Sequence, residues 1–222
     1  LGSEHSAETI ESAKELEKRI RLLGYYPYYS DTQEMKELNA DPKRVDDLFT
    51  RLMVENLERW VQIAEEHLRN SGIKCFLMPG NDDRLEIDDV LRKSDYIINP
   101  EGQVVRIDEK HEMISTGYSN ITPWKCPRDI PDEELSKKIE GMAAKVNAME
   151  SCIFNFHCPP YDSGLDTAPK LDKDLKPIVT SGMMLTGPAG SLAVRAAIEK
   201  YQPLLGLHGH IHESRGTRKI GR

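Results

Sequence analysis

Leu204-Leu205-Gly206-Leu207-His208-Gly209-His210-Ile211-His212-Glu213-Ser214 is the stretch on which the reading of this chain turns. Three of the seven histidines fall within five residues here. The apolar run Leu204, Leu205, Leu207 predicts a short buried strand, and Gly209 marks the point where the chain leaves it for a loop. Alternate residues of an extended segment point the same way, so His210 and His212 can aim their rings at one point. Neutral imidazole is the commonest side-chain ligand for first-row metals. A solvated, histidine-rich loop has the same composition. The spacing of two residues beside a glycine, at the carboxyl end of a strand, favours a metal site. His208 falls outside that pair and is expected to pack, or to orient a ligand from behind.

Upstream of this stretch the chain alternates strands and helices, which predicts an α/β layer fold. Residues 7–23 carry Ile10, Ala13, Leu16, Ile20 and Leu23 at helical spacing, and Gly24 stops the helix. Asp41-Pro42 is a capping carboxylate followed by proline at the first helical position. It opens a long amphipathic helix that ends near Ser71-Gly72. Residues 73–78 form an apolar strand leading into Pro79-Gly80-Asn81-Asp82-Asp83. A short helix over 88–94, strands over 95–99 and 111–116, and a helix over 132–150 follow. The buried strand 151–156 delivers His157. Residues 159–185 lack periodicity and read as a lid-like connection or a disordered one, with Asp166 a solvated carboxylate. A helix over 191–201 precedes the strand quoted above.

Composition narrows the class. With 222 residues, 38% hydrophobic and 30% charged, the chain suits one sizeable core, so residues 1–222 are expected to be a single domain. No apolar run reaches the length of a membrane helix, and no signal-peptide pattern opens the chain. The net charge of −7 argues against a broad nucleic-acid or membrane surface. Four cysteines without CxxC spacing point to a reducing cytoplasm, with Cys75, Cys152 and Cys158 as packed thiols. The start at Leu1-Gly2-Ser3 and the stop at Arg222 read as cuts from a longer protein at both ends.

Three strand ends therefore carry polar residues at equivalent places: Asn81-Asp82-Asp83, His157, and His210 with His212. Ligand sites in α/β sheets gather beyond the carboxyl ends of strands. Gly-Asn-Asp-Asp is also a good turn sequence and a lone histidine is commonly structural. The three together predict a mixed nitrogen and oxygen metal site.

At these residues the chain resembles the calcineurin-like metallophosphoesterases. The pattern of that family is Asp-x-His, Gly-Asp, Gly-Asn-His-Asp/Glu, a lone His, and Gly-His-x-His. Gly80-Asn81-Asp82-Asp83, His157 and Gly209-His210-Ile211-His212 match the last three in order. Asn120-Ile-Thr-Pro-Trp124, His157-Cys-Pro-Pro-Tyr161 and the closing stretch look like loops of one soluble bacterial and archaeal branch, so the likeness spans residues 73–214. It implies a sandwich of two mixed β-sheets flanked by helices. It also implies hydrolysis of a phosphomonoester or phosphodiester by a metal-activated hydroxide at a two-metal site. By position, Asn81, His157 and His210 would bind one metal and His212 the other. Two divalent transition-metal ions (Mn, Fe, Zn, Co or Ni) and a small phosphate-ester substrate are the expected companions.

Two departures stand out. No Asp-x-His followed by Gly-Asp precedes Gly80, so ligands for the first metal are missing; a missing N-terminal segment would account for this. Asp82 occupies the place of a histidine that touches the phosphate or aids the leaving group. As a catalytic candidate Asp82 would need to hold a proton or partner a cation such as Arg84, because an ionised carboxylate repels phosphate. The alternative from another class is a non-catalytic phosphoesterase-fold protein serving as a binding or scaffolding surface.

Overall fold

Thr9 and Ser12 cap each other reciprocally: the Ser12 N–H donates to Thr9 Oγ1 at 3.1 Å, and the Thr9 N–H donates to Ser12 Oγ at 3.0 Å. Helix α1 (Ile10–Leu22) follows and gives way at Gly24, whose φ is +83°. Asp31 caps α2 (Thr32–Ala40) by accepting from the Glu34 N–H at 2.8 Å. The Asp41 carboxylate then accepts from the Lys43 N–H at 3.0 Å and starts α3 (Pro42–Leu68). The computed structural model describes residues 5–221, and the chain divides between Gln62 and Ile63 into two compact units. The expectation of cut ends concerns Leu1 to Ser3 and Arg222, which lie outside the described residues.

Every element of the candidate site belongs to the second unit. Strand β1 (Cys75–Phe76) leads through α4 (Ile87–Lys93) to β2 (Ile97–Ile98), and the two strands pair in parallel. The chain continues through β3 (Val104–Arg106), β4 (Glu112–Thr116), α5 (Asp132–Ala143) and β5 (Cys152–Phe156). Next come β6 (Thr167–Pro169), β7 (Val179–Thr180), β8 (Met183–Met184), β9 (Thr186–Pro188), α6 (Leu192–Tyr201) and β10 (Leu205–Leu207). The main sheet has the order β10, β5, β4, β3; only the β3–β4 pair is antiparallel. Helix α5 crosses from β4 to β5 and α6 from β5 to β10. Parallel neighbours need such crossovers, and the three parallel strands consequently end on one side.

Burial explains the pairing. Strand β5 alternates, with Cys152, Phe154 and Phe156 fully buried. They meet Leu135, Ile139 and Met142 of α5 and Val194, Ala197 and Ile198 of α6 in one core. The rings of Phe154 and Phe156 lie 4.8 Å apart. Asp132, at the start of α5, accepts from the Ser191 hydroxyl and from the Ala193 N–H. Ser191 in turn caps α6 by accepting from the Val194 N–H at 3.1 Å.

The molecule is a mixed α/β fold, and its elements depart from the sequence expectation, which has no counterpart for α2 or β3 and differs at four further elements. The strand expected over 73–78 pairs only at Cys75–Phe76. The helix expected over 132–150 stops at Ala143, and a 3-10 turn at Met149–Ser151 leads into β5. Residues 159–185 are not a bare connection: β6 pairs with β9 and β7 with β8 as two small antiparallel ladders. Finally, β10 is an edge strand with Leu205 47% and Leu207 45% exposed, not a buried one. Among the described residues no helix is long and apolar enough to cross a membrane.

Candidate metal centre

Three turns meet beyond the strand ends, and each has a local reason for its shape. After β1, the Asp83 carboxylate accepts from the Gly80 N–H at 2.7 Å and the Asp83 N–H donates to the Gly80 carbonyl at 3.2 Å. This tight turn buries the Asn81 side chain. A Cβ at Gly80 would lie 2.9 Å from His157 Cε1, so only glycine lets the turn approach that ring. After β5, the His157 N–H continues the parallel ladder by donating to Thr116 O at 2.9 Å. After β10, the Gly209 N–H donates to His157 O at 2.9 Å and the Ile211 N–H to Gly209 O at 2.8 Å. That second bond folds the chain tightly around His210, whose φ is +68°. A side-chain-bearing residue rarely adopts this conformation, and such outliers concentrate at functional sites.

The three side chains converge on one oxygen. Asn81 Oδ1 lies 3.1 Å from His157 Nε2 and 3.0 Å from His210 Nδ1. The two imidazoles sit edge to face, 5.1 Å between centroids. The far nitrogen of His210, Nε2, is 3.3 Å from Ser119 Oγ. On the other side of Asn81, its Nδ2 donates to Asp129 Oδ1 at 2.9 Å.

Burial sets the electrostatics. It holds the pKa of His157 down at about 4, helped by the nearby charges of His210 and His212. His210 is likewise lowered by burial, against the pull of Asp129. Both rings are thus neutral at neutral pH and keep a lone pair for a cation. Burial alone would raise the Asp129 carboxyl, but hydrogen bonds from Thr122, Asn81 and Cys126 outweigh it and keep the acid below its ordinary value.

The remaining candidates take other places. His212 is exposed beside the cluster, outside the Asn81–His157–His210 convergence. Asp82 is exposed, its carboxylate near the Cys126 thiol. His208 Nδ1 faces the carbonyls of Phe156 and Cys158 at 3.1 and 3.0 Å, which ties β10 to the end of β5. Asp166 is 1% exposed rather than solvated, and it accepts from the N–H groups of Asp162, Ser163 and Gly190. Of the packed thiols, Cys152 and Cys158 are buried, whereas Cys75 is only half-buried. Burial pushes the Cys158 thiol up to about 12.

Sequence reading misses three residues around the cluster: Ser119, Arg128 and Asp129. Arg128 is 1% exposed, pairs with Asp88 Oδ1 at 2.8 Å and donates to Asp83 O at 3.0 Å. Its own N–H donates to Asn81 O at 3.0 Å, so the segment carrying Arg128 and Asp129 grips the Asn81 turn from both backbone and side chain. Cys126-Pro127-Arg128-Asp129 has no local periodicity, and nothing short of the tertiary contact would have singled it out.

Among the described residues no three His, Cys, Asp or Glu side chains gather as a metal would require. The convergence found instead joins two imidazole nitrogens to a carboxamide oxygen. Two neutral nitrogen donors with one hard oxygen suit a divalent ion of the later first row, and the contacts to Asp129 and Ser119 engage the far atoms of Asn81 and His210 rather than the three that converge. The donor set fits a cation.

No family model matches the chain. It is 28% identical over 170 residues to the uncharacterized protein MJ1162 of Methanocaldococcus jannaschii, covering 76% of this chain and 66% of that protein. The chain thus spans just under two thirds of the length of the curated relative it matches. A crystal structure superimposes with a TM-score of 0.57 at 17% identity, over 95% of this chain and 72% of that one. At that identity the likeness is one of fold: the mixed α/β arrangement of this chain recurs in a solved structure.

Proposed function

We propose that the protein is a metal-dependent phosphoesterase, built on a calcineurin-like sandwich of two mixed β-sheets flanked by helices, that hydrolyses a small phosphomonoester or phosphodiester. The convergence of Asn81 Oδ1, His157 Nε2 and His210 Nδ1 within 3.1 Å carries this reading. Asn81, His157 and His210 would hold one divalent ion, and His212 would serve a second. Manganese, iron, zinc, cobalt and nickel all suit these donors. Such ions supply Lewis acidity toward a phosphate ester and acidify water. The chain's own part is to keep both rings neutral by burial, to fix the carboxamide through Asp129, and to hold His210 through Ser119. Exposed Asp82 adds negative charge beside the site, where it disfavours a phosphate unless a proton or cation neutralises it.

The test is turnover of p-nitrophenyl phosphate and bis-p-nitrophenyl phosphate after chelation and resupply of Mn²⁺, Co²⁺ or Zn²⁺. Activity is expected only with metal, and His157→Ala or His210→Ala should each lower it at least roughly 100-fold with the circular dichroism unchanged. Undiminished turnover in both variants would sink the mechanism. The second reading, a non-catalytic phosphoesterase-fold binding or scaffold protein, draws on exposed Asp82 and on the lack of a three-residue acid and histidine cluster among the described residues. Two tightly held ions per chain support the enzyme; one or none supports the scaffold.

A further inference from the structure

We propose that Asp129 is a positioning residue that dictates which end of the Asn81 carboxamide faces the two histidines. The consequence for metal affinity rests on the metal reading above; the orientation itself does not.

An amide can point either end into a site, and the surrounding network decides which. Asp129 divides its two oxygens sharply. Oδ2 accepts from the Thr122 N–H at 2.9 Å, the Thr122 hydroxyl at 2.5 Å and the Cys126 N–H at 2.9 Å. Oδ1 accepts from Asn81 Nδ2 at 2.9 Å. An ionised carboxylate only accepts, so it compels Asn81 to present its NH₂ on that side. Oδ1 of Asn81 must then turn to His157 and His210. With the opposite orientation, two N–H donors would face the imidazoles and no oxygen would be available to a cation.

This geometry makes an unusual prediction about exchanging the pair. In Asp129→Asn, the three donors on the Oδ2 side retain the new amide's oxygen, so its NH₂ faces Asn81. Asn81 then has to turn its own oxygen toward residue 129 and its NH₂ toward the histidines. In Asn81→Asp with Asp129 intact, two carboxylates oppose each other. The double variant Asn81→Asp/Asp129→Asn restores an NH₂-to-oxygen bond and leaves a carboxylate oxygen facing the rings. Two changes that are each harmful should together be nearly harmless.

The experiment measures Co²⁺ affinity by equilibrium dialysis, the visible absorption of the bound ion, and the thermal midpoint of the metal-free protein. The expected result is a loss of roughly 10- to 100-fold in Co²⁺ affinity for Asp129→Asn, with an altered visible spectrum. The double variant should recover affinity to within about threefold of wild type. Metal-free midpoints should fall in both single variants and recover in the double. Wild-type affinity in Asp129→Asn, or a double variant no better than the worse single one in both affinity and midpoint, overturns the assignment. A wild-type protein that takes up no Co²⁺ overturns the metal reading instead, and recovery of the metal-free midpoint then decides the orientation by itself.

Discussion

Gly117 has no room for a methyl group. A Cβ there would lie 2.1 Å from the Pro79 carbonyl oxygen, so the backbone after β4 and the backbone entering the Asn81 turn are in direct apposition. Gly117→Ala should cost about 2–3 kcal/mol in urea denaturation, and it should weaken Co²⁺ binding by displacing Asn81; an unchanged midpoint would show the turn to be pliable. Residues like Asn81, His157 and His210 were legible in the sequence because each lies within a few residues of the end of an apolar strand, and strand ends gather in space. Their supports were not. The Asn81–Asp129 bond links residues 48 apart and the His210–Ser119 contact residues 91 apart, and such pairs leave no local pattern. Asp166 misled for the opposite reason: its Gly- and Asp-rich surroundings suggest solvent, yet it collects the N–H groups of its own turn and of Gly190.

The start of α5 reaches across to cap α6, so one carboxylate organises two elements. Asp132→Ala would strand the Ser191 hydroxyl and the Ala193 N–H and should cost about 1–2 kcal/mol, read from chemical denaturation; Asp132→Asn should recover part of it. Helical periodicity was enough to find α1, α3 and α6. It overran at α5 because Val146 and Met149 still pack against the core after the backbone has left the helix at Ala143. The pattern recorded burial, which outlasted helicity. Helix α2 was overlooked because Leu38 is its one buried residue, so no apolar stripe marks it. The ladders β6–β9 and β7–β8 have strands of two or three residues, too short for alternation to register. Strand β10 has the apolar composition of an interior strand but occupies a sheet edge, and composition does not distinguish these positions.

Across the whole molecule, stability responds to pH through buried carboxyls as well as paired ones. Burial raises Glu101 above its ordinary value of 4.5, against the Gly117 N–H and Thr116 hydroxyl it accepts from and the charges of Lys138 and Arg128. Folding therefore favours its protonated form. Its contribution is fully present below the unfolded value and is lost as pH rises through the folded one. The stability of wild type relative to Glu101→Gln should accordingly fall as pH rises above the ordinary carboxyl value of 4.5, measured as the difference in urea midpoints. A difference that is flat or rises with pH would refute this sign. The mixed α/β class was legible from alternating strands and helices. The division between Gln62 and Ile63 was not, because it falls inside an uninterrupted amphipathic pattern.

The left-handed backbone at His210 sets the ease of folding against the presence of a side chain there. At φ +68° an imidazole-bearing residue gives up on the order of 1 kcal/mol that glycine would not. His210→Gly should melt above His210→Ala, although both lack the ring. A library randomised at this position and selected only for heat resistance should rank glycine above every other ringless residue, and nothing in that selection rewards the imidazole itself. Breeding a hardier variant of this protein therefore requires a screen that rewards the ring as well as survival.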